Sequence, residues 1–399
     1  MPWMETGTME LRQKFVERWK RDDVPFSRLC EAYGISRKTG YKWVGRYDRE
    51  GVVGLADRSR APLTSPLAID EEIRGVLVQL RRKHPFWGPR KILNWLEGNR
   101  PDIPRPAAST VGDLFKKRGL VRARHWRSRL PPRTQPFESI NAPNDTWCTD
   151  FKGEFTVGDG LTCYPLTITD AFSRYLIRST ALRSTATVPA QHVFRDAFEE
   201  YGLPNTIRSD NGQPFGAPAV GSRALSRLGA WFIKLGIRPE RIAPGSPQEN
   251  GRHERMHWTL KQETALPPRS SFITQQRAFD SFRNEYNHER PHEALKGAPP
   301  ASFYRPSRRR FPRHLPEVAY PTSFSVRYVK QNGEIHWNGN RIFITEVLVH
   351  EPVGLLERVD GTWDVHFGPM NLGIISERGD AYIPRETPIW NTPQPSKPS

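Results

Sequence analysis

Apolar residues in the amino-terminal segment recur at the spacing of amphipathic helices. The stretch 9–20 repeats them every four positions and predicts one helix. Two more helices are predicted over 26–33 and 37–48, with a tight turn at Gly34 between them. The third helix is basic, whereas a plain αα-hairpin would make it apolar, so the pattern favours a helix-turn-helix domain over 8–60. The candidate DNA contacts on this helix are Arg37, Lys38, Lys42 and Arg46.

A second helical segment occupies 67–121. Apolar positions at helical spacing predict a helix over 70–83, and the sequence HPFWGP interrupts the pattern before it resumes over 90–96. A further helix is predicted over 109–117. Two interpretations stay open, a second helix-turn-helix unit and a helical spacer, because the spacing alone fits both.

From residue 144 to residue 304 the pattern changes to strands alternating with helices. The predicted order is three strands, helix, strand, helix, strand and helix, which is typical of an α/β domain with a mixed sheet. Over 321–384, short alternating stretches separated by Asn-Gly and Asp-Gly turns predict a small β-barrel. The Pro-rich stretch 385–399 is expected to be a disordered tail.

The composition adds a strong basic character. Lys and Arg number 60 against 43 Asp and Glu, a formal net charge of +17, which indicates a polyanionic partner, either nucleic acid or an anionic membrane. Part of this charge lies in two linkers, 122–143 and 305–320. In the first linker, Arg127 beside Trp126 is a candidate DNA contact, although a run of charge is usually only a solvated surface.

Membrane, secreted and disulfide-rich classes of protein are disfavoured. No apolar run approaches the roughly 20 residues that a membrane span needs, and the first ten residues lack the apolar stretch of a secretory signal. Three cysteines without CxxC spacing support neither a disulfide framework nor a zinc finger. We therefore expect a cytoplasmic protein that associates with the nucleoid when it is bound to DNA.

Three acidic residues occupy positions that a solvated surface carboxylate does not readily explain. Asp150 lies in an apolar predicted strand between Trp147 and Phe151, where an unpaired charge is costly. Asp210 follows a short strand and precedes an Asn-Gly turn, and Glu254 lies on a predicted helix. Taken singly, they could be a buried ion-pair partner, a turn residue and a surface residue. As a set they match the oxygen ligands of a two-cation site for phosphodiester chemistry.

Five segments of this chain carry distinctive motifs. They are WCTDFKG (147–153), ITDAFSRY (168–175), SDNG (209–212), SPQENGRHER (246–255) and YNHERPHEAL (286–295). Together they resemble the retroviral-type integrase core of bacterial insertion-sequence transposases. The helix-turn-helix front and the β-rich carboxyl-terminal part are similar to the layout of the same family. The resemblance implies a ribonuclease-H-like catalytic core over 144–304.

The resemblance also implies a DDE mechanism. Asp150, Asp210 and Glu254 would hold two Mg²⁺ ions, with Mn²⁺ as the alternative metal. Water would cleave at the end of a mobile element, and the freed 3′-hydroxyl would attack target DNA. The implied partners are double-stranded DNA, as terminal inverted repeats and as target, and further copies of the same chain. Arg255 and Lys261 are candidate DNA contacts beside the site.

Several alternatives stay open at this point. The spacing from Asp210 to Glu254 is longer than is usual in the family, which makes Glu249 a rival for the third acid. Asp170 is expected to serve the fold rather than bind metal, and His257 is expected to be a surface residue. The alternative functions are a catalytically inactive, sequence-specific DNA-binding regulator and a ribonuclease-H-like nuclease.

Overall fold

A computed structural model describes six parts of the chain and divides it into two compact units, residues 1–69 and 70–399. Within the described parts, the side chains of 251–254 and 386–388 are not described. No helix among these parts is long and apolar enough to cross a membrane. The described residues are 7–58, 69–121, 140–151, 153–216, 225–242 and 251–390.

The first unit contains the three helices that the apolar spacing predicts. They are α1 (Thr8–Lys20), α2 (Phe26–Ala32) and α3 (Arg37–Glu50). Their apolar faces meet in a core that includes Phe15 and Trp43. The helical part of the predicted helix-turn-helix domain is therefore confirmed.

The turn between α2 and α3 follows from the small residues in it. Gly34 has a φ of +63°, and the Ser36 hydroxyl caps α3 by accepting a hydrogen bond from the Thr39 amide at 3.2 Å. Gly40 lies against α2, where a Cβ atom would come within 2.7 Å of the Cys30 Sγ. Glycine at this position therefore lets α3 approach α2 closely.

The second unit begins with another group of three helices. They are α4 (Glu71–Lys83), α5 (Pro89–Asn99) and α6 (Ala108–Lys117). Trp87, in the interruption between α4 and α5, is completely buried. These helices belong to the same compact unit as the rest of the chain up to residue 399.

A mixed sheet lies at the centre of the region 144–304. Its strands are β1 (Thr146–Phe151), β2 (Phe155–Thr156), β3 (Thr162–Asp170), β4 (Leu176–Leu182), β5 (Thr206–Ser209) and β6 (Arg238–Arg241). The strand order is β4–β3–β1–β5–β6, and β2 pairs with the start of β3. Strand β3 pairs antiparallel with β1 and β4, whereas β1, β5 and β6 are parallel. The predicted mixed α/β order is confirmed.

Helices pack against the sheet in two groups. The helices are α7 (Thr187–Tyr201), α8 (Arg227–Lys234), α9 (Gly251–Leu260) and α10 (Phe272–His288). Helices α7 and α8 form one apolar cluster with Trp147 and Ile168 of the sheet. Helices α9 and α10 form another cluster with Cys163, which faces the opposite way from Ile168 because side chains alternate along a strand.

The carboxyl-terminal region is an open sheet, so the predicted small β-barrel is wrong for the described residues. Its strands are β7 (Ser325–Tyr328), β8 (Glu334–Trp337), β9 (Asn340–Phe343), β10 (Pro352–Glu357), β11 (Trp363–Phe367), β12 (Met370–Ile375) and β13 (Tyr382–Trp390). Five strands are ordered β13–β12–β11–β10–β7, with β8 and β9 as a separate hairpin. Ala230 and Ile233 of α8 share the apolar cluster of this region, so its apolar side is covered without closure.

Strand β13 extends further than the sequence predicts. It pairs with β12 as far as Trp390, opposite Met370, whereas the sequence analysis ends the domain at residue 384. The disordered tail expected over 385–399 is therefore wrong for 385–390. Residues 391–399 lie outside the described parts of the chain.

Candidate functional site

Asp150 lies near the carboxyl end of β1, in the middle of the mixed sheet. Alternation along the strand places it on the opposite face from Trp147, which is completely buried in the cluster with α7 and α8. The Asp150 side chain is 20% exposed. The strand therefore holds this carboxylate at the carboxyl end of β1, on the face of the sheet against which α9 packs.

Asp210 is positioned by the neighbouring parallel strand. The register pairs Thr149 of β1 with Ser209 of β5, so Asp150 and Asp210 are the next residues on adjacent strands. Adjacent strands lie roughly 4.8 Å apart. The structure thus brings together two of the three acids that the sequence singles out. Carboxyl ends of adjacent parallel strands are where ligand sites form in α/β sheets.

The turn after β5 fixes the Asp210 carboxylate. Its Oδ1 accepts a hydrogen bond from the Gly212 amide at 3.2 Å, and the Asn211 amide group donates to the Ile242 carbonyl at 3.1 Å. Burial raises the pKa of Asp210, and the hydrogen bond from Gly212 offsets that shift only in part. Among the described residues, no cationic side chain forms an ion pair with it. A cation bound here would act against this shift, because it favours the ionised form of the carboxyl.

For the third acid, Glu254, the structure describes the backbone but not the side chain. Glu254 lies in the first turn of α9, as predicted, but its side chain is outside the described part of the structure. The rival Glu249 lies in a stretch that is not described at all. Position 254 is three residues before His257 on the same helix, and residues at this spacing share a helix face.

His257 is buried, so its predicted surface location is wrong. Its side chain is 0% exposed, and its Nδ1 lies 3.4 Å from the Asp150 Oδ2. Its Nε2 is hydrogen-bonded to the Thr167 hydroxyl. Helical spacing puts His257 on the same face of α9 as Glu254. The pairing of β1 with β3 brings Asp150 and Thr167 to that face.

The donor set suits a divalent metal ion. Carboxylate oxygens are the preferred ligands of Mg²⁺ and Mn²⁺, and two like-charged groups on adjacent strands repel each other until a cation lies between them. Among the side chains that the structure describes, no three His, Cys, Asp or Glu residues form a metal cluster. The described side chains thus offer such an ion two carboxylates, Asp150 and Asp210, and the sequence analysis assigns the third to Glu254.

Asp170 serves the fold, as the sequence analysis expects. It is completely buried, and its carboxylate accepts hydrogen bonds from the Asn144 amide at 2.7 Å and from both the amide and the hydroxyl of Ser173 at 2.7 and 2.6 Å. Burial raises its pKa, against the effect of these hydrogen bonds. Its oxygens are thus engaged in holding the turn between β3 and β4.

The candidate DNA contacts differ in how they are presented. On α3, Arg37, Lys38 and Lys42 are exposed, whereas Arg46 is half-buried. The Lys42 Nζ and the Arg46 Cζ lie 4.6 and 5.1 Å from the centre of the Trp43 ring. Two further cations, Arg255 and Lys261, are exposed on and just after α9. Arg127 lies outside the described residues.

Polar contacts between α4–α5 and α10 are a feature that sequence reasoning missed. The buried His84 lies with its Nδ1 3.0 Å from the Glu285 Oε1. Burial alone would raise the pKa of Glu285, but the contact with His84 leaves it lowered. Burial, with Arg290 nearby, lowers the pKa of Lys91 to about 8. These residues are about 200 positions apart in the chain, so no local pattern could have paired them.

Comparisons with known families agree with this architecture. Models of an integrase core domain match residues 140–247 and 235–300. A model of a helix-turn-helix domain matches 11–62, and a model of a homeodomain-like domain matches 39–115. The matches cover both the first helical unit and the mixed sheet that carries Asp150.

Related proteins come from bacterial insertion elements. An uncharacterized 39.2 kDa protein of insertion element IS476 from Xanthomonas euvesicatoria is 27% identical over 245 residues, covering 61% of this chain and 67% of that protein. An uncharacterized protein of insertion element IS136 from Agrobacterium fabrum is 31% identical over 174 residues, covering 41% of this chain and 83% of that protein.

One solved structure is also similar in part. The HTLV-2 integrase catalytic core domain in complex with magnesium aligns over 41% of this chain and 97% of that chain, with 14% identity and a TM-score of 0.32, a likeness too distant to carry an argument. The relation to the insertion-element proteins does not depend on it.

The IS136 protein matches this chain over most of its own length, and the integrase core and helix-turn-helix models match as well. This chain therefore belongs to the family of insertion-element proteins with an integrase core domain.

Proposed function

We propose that this protein is a transposase that cleaves DNA at the ends of a mobile element and transfers the freed strand to target DNA, in a reaction that depends on divalent metal. The single observation that carries the proposal is the side-by-side placement of Asp150 and Asp210 at the carboxyl ends of two parallel strands. The family relation to insertion-element proteins supports the same conclusion.

In this proposal the acidic residues hold and orient the metal. Asp150 and Asp210 lie next to each other at the sheet edge, and Glu254 on α9 supplies the third carboxylate. A pair of Mg²⁺ or Mn²⁺ ions bound there would activate the attacking oxygen and neutralise charge on the leaving oxygen. Because the nucleophile is first water and then a DNA 3′-hydroxyl, no side chain has to attack the phosphate.

DNA binding is divided between the two units. The exposed cations of α3 contact the terminal inverted repeats, since a basic second helix of a helix-turn-helix enters the major groove. Arg255 and Lys261, exposed on and just after the helix that carries Glu254, contact the phosphate backbone near the scissile bond. Several copies of the chain assemble on DNA, because two element ends have to be held together for joining.

The proposal is tested by Asp150→Asn in the full-length protein. With Mg²⁺ and a labelled duplex that ends in the terminal repeat, we expect 3′-end cleavage and strand joining to fall at least about 10³-fold, because removing a metal ligand removes the charge stabilisation of the reaction. Binding of the duplex should stay within about threefold, since the DNA-contacting cations are unchanged. Asp196→Asn, at an exposed carboxylate on α7, is the matched control and should keep full activity.

The same assay separates the alternatives. Unimpaired joining by Asp150→Asn would contradict the site. Wild-type protein that cuts the duplex but never joins it would favour a nuclease, and wild-type protein that binds without cutting would favour a regulator. Either result would overturn the proposal.

A second pair of variants decides which glutamate completes the site. We expect Glu254→Gln to abolish joining and Glu249→Gln to leave it within about tenfold, because α9 packs against β1 where Asp150 lies. The opposite outcome would move the third ligand to Glu249 while leaving Asp150 and Asp210 in place.

A further inference from the structure

His257 lies where α9 meets the strands β1 and β3, directly beside Asp150. It projects from α9 and is 0% exposed. In the pairing of β1 with β3, Asp150 is the partner of Thr167, so these two side chains are cross-strand neighbours. The imidazole of His257 contacts both of them. One ring therefore connects the helix that carries Glu254 with the strand that carries Asp150.

A hydrogen bond at one ring nitrogen and a close approach to a carboxylate at the other define the orientation of the imidazole. The Nε2 is hydrogen-bonded to the Thr167 hydroxyl, and that hydroxyl also lies 3.2 Å from the Asp150 backbone oxygen. The Nδ1 on the other side of the ring lies 3.4 Å from the Asp150 Oδ2. A rotation of the ring about its χ2 angle would break both contacts at once. The ring thus presents one defined nitrogen to the carboxylate.

We propose that His257 is a positioning residue that holds the Asp150 carboxylate in the orientation in which it binds a divalent cation. This inference rests on the proposed function, because it takes Asp150 as a metal ligand. A carboxylate at the end of a strand can rotate about two side-chain bonds, and a metal ion binds best to a ligand that is already oriented. Partners that orient metal-binding side chains in this way typically contribute about 10- to 100-fold in metal affinity.

A role in packing alone predicts something different. If His257 only filled space between α9 and the sheet, any side chain of similar size and polarity would replace it equally well. The positioning role requires a polar atom where Nδ1 now lies. Asparagine places its amide group near the position of Nδ1, whereas glutamine extends its amide group towards the position of Nε2. The two amides therefore test the two ring nitrogens separately.

The experiment uses the full-length protein with His257→Asn and His257→Gln. Binding of Mn²⁺ to the protein without DNA is measured by the electron paramagnetic resonance signal of the free ion. We expect His257→Gln to weaken Mn²⁺ binding by about tenfold or more and His257→Asn to stay within about threefold of wild type. In strand transfer, His257→Gln should require more Mg²⁺ for half-maximal rate, and saturating Mg²⁺ should recover most of its kcat.

A substitution at the other end of the ring gives an independent measurement. Thr167→Val removes the hydroxyl that fixes Nε2 while keeping the branched shape, and Thr167→Ser keeps the hydroxyl. We expect weaker Mn²⁺ binding in Thr167→Val, by about threefold, and wild-type binding in Thr167→Ser. This pair decides the question if the His257 variants do not fold.

Distinct outcomes overturn the inference and the proposed function. If Asp150→Asn loses Mn²⁺ binding while His257→Gln and Thr167→Val bind as wild type does, the positioning role is wrong and the metal site stands. Equal weakening in His257→Asn and His257→Gln would assign His257 to packing. If Asp150→Asn itself binds Mn²⁺ as wild type does, the metal site and the inference built on it both fail.

Discussion

The two helical groups of this protein, α1–α3 and α4–α6, have similar sequence patterns but different surroundings. The first forms its own compact unit and exposes Arg37, Lys38 and Lys42 on its third helix. The second belongs to the unit that contains the mixed sheet and contacts α10 through the buried His84. The same helical spacing therefore gives a separate compact unit in one case and part of the unit that contains the mixed sheet in the other.

Buried polar residues are a feature of the second helical group. His84 is 3% exposed and is hydrogen-bonded to Glu285, and Lys91 is half-buried near Glu263 and Arg290. Burying such groups is costly unless partners are present, so the contact between His84 and Glu285 favours the packing of the second group against α10. On α3, by contrast, Arg37, Lys38 and Lys42 are exposed to solvent, where they can reach phosphates or bases.

Of the tests that compare the two helical groups, the largest effect is expected in DNA binding. Substitution of Arg37 and Lys42 together by Ala should weaken binding to the terminal repeat about 100-fold, because each cation contributes to contacts in the major groove. Substitution of Lys116 and Lys117 together by Ala removes the same charge from an exposed turn of α6 and should weaken it less than about threefold. Fluorescence anisotropy at fixed salt measures both, and equal losses would contradict the distinction between the two groups.

The next effect is on the stability of the second unit. Glu285→Ala leaves His84 buried without its carboxylate partner and should lower the free energy of unfolding by about 2–3 kcal/mol. Glu289→Ala is the matched control, since Glu289 lies 3.6 Å from Lys83 in a partly exposed ion pair that contributes at most about 1 kcal/mol. Thermal unfolding measures both variants. A Glu285→Ala protein as stable as wild type would mean that the α4–α10 contact does not hold the second group in place.

A smaller, pH-dependent effect is expected from Lys91. Burial lowers its pKa in the folded protein to about 8 from an ordinary 10.5, with Arg290 and Arg255 acting in the same direction and Glu263 and Glu293 opposing them. Between these two values the unfolded chain keeps a proton that the folded chain has lost, so the contribution of Lys91 to stability rises with pH. Lys91→Met should remove about 1–2 kcal/mol of that rise.

The comparison of Lys91→Met with wild type is made by thermal unfolding between pH 7 and pH 10. The variant should show a flatter change in Tm over this range and should be the more stable protein at pH 7, where wild type buries a charged lysine. Lys296→Met serves as the matched control, because Lys296 is exposed on the surface. Parallel profiles for Lys91→Met and wild type would show that Lys91 is solvated rather than buried against α10.

Much of the fold could be predicted from local patterns, because helices, strands and turns depend on nearby residues. The spacing of apolar residues predicts α1 to α3, and the Asn-Gly and Asp-Gly pairs predict the turns of the hairpins β8–β9 and β10–β11. The β-barrel was wrong because closure depends on which distant surface covers the sheet, and here Ala230 and Ile233 of α8 do so. A strand pattern contains no information about that cover.

The candidate site shows the same limit. The sequence singles out Asp150 and Asp210 by their position at strand ends, and the parallel pairing of β1 with β5 places them next to each other. It gives a wrong location for His257, because helix periodicity shows which residues share a face but not what that face packs against. What that face packs against depends on the pairing of Asp150 with Thr167. Both residues are distant from α9 in the chain.

The most direct test of the central claim is the location of Mn²⁺ in crystals of the full-length protein, determined by anomalous scattering. The account predicts two peaks about 3.5–4 Å apart at the edge formed by Asp150 and Asp210, with the Glu254 carboxylate as a further ligand. Peaks at a different place, or a Glu254 side chain directed away from an ion bound by Asp150 and Asp210, would contradict it.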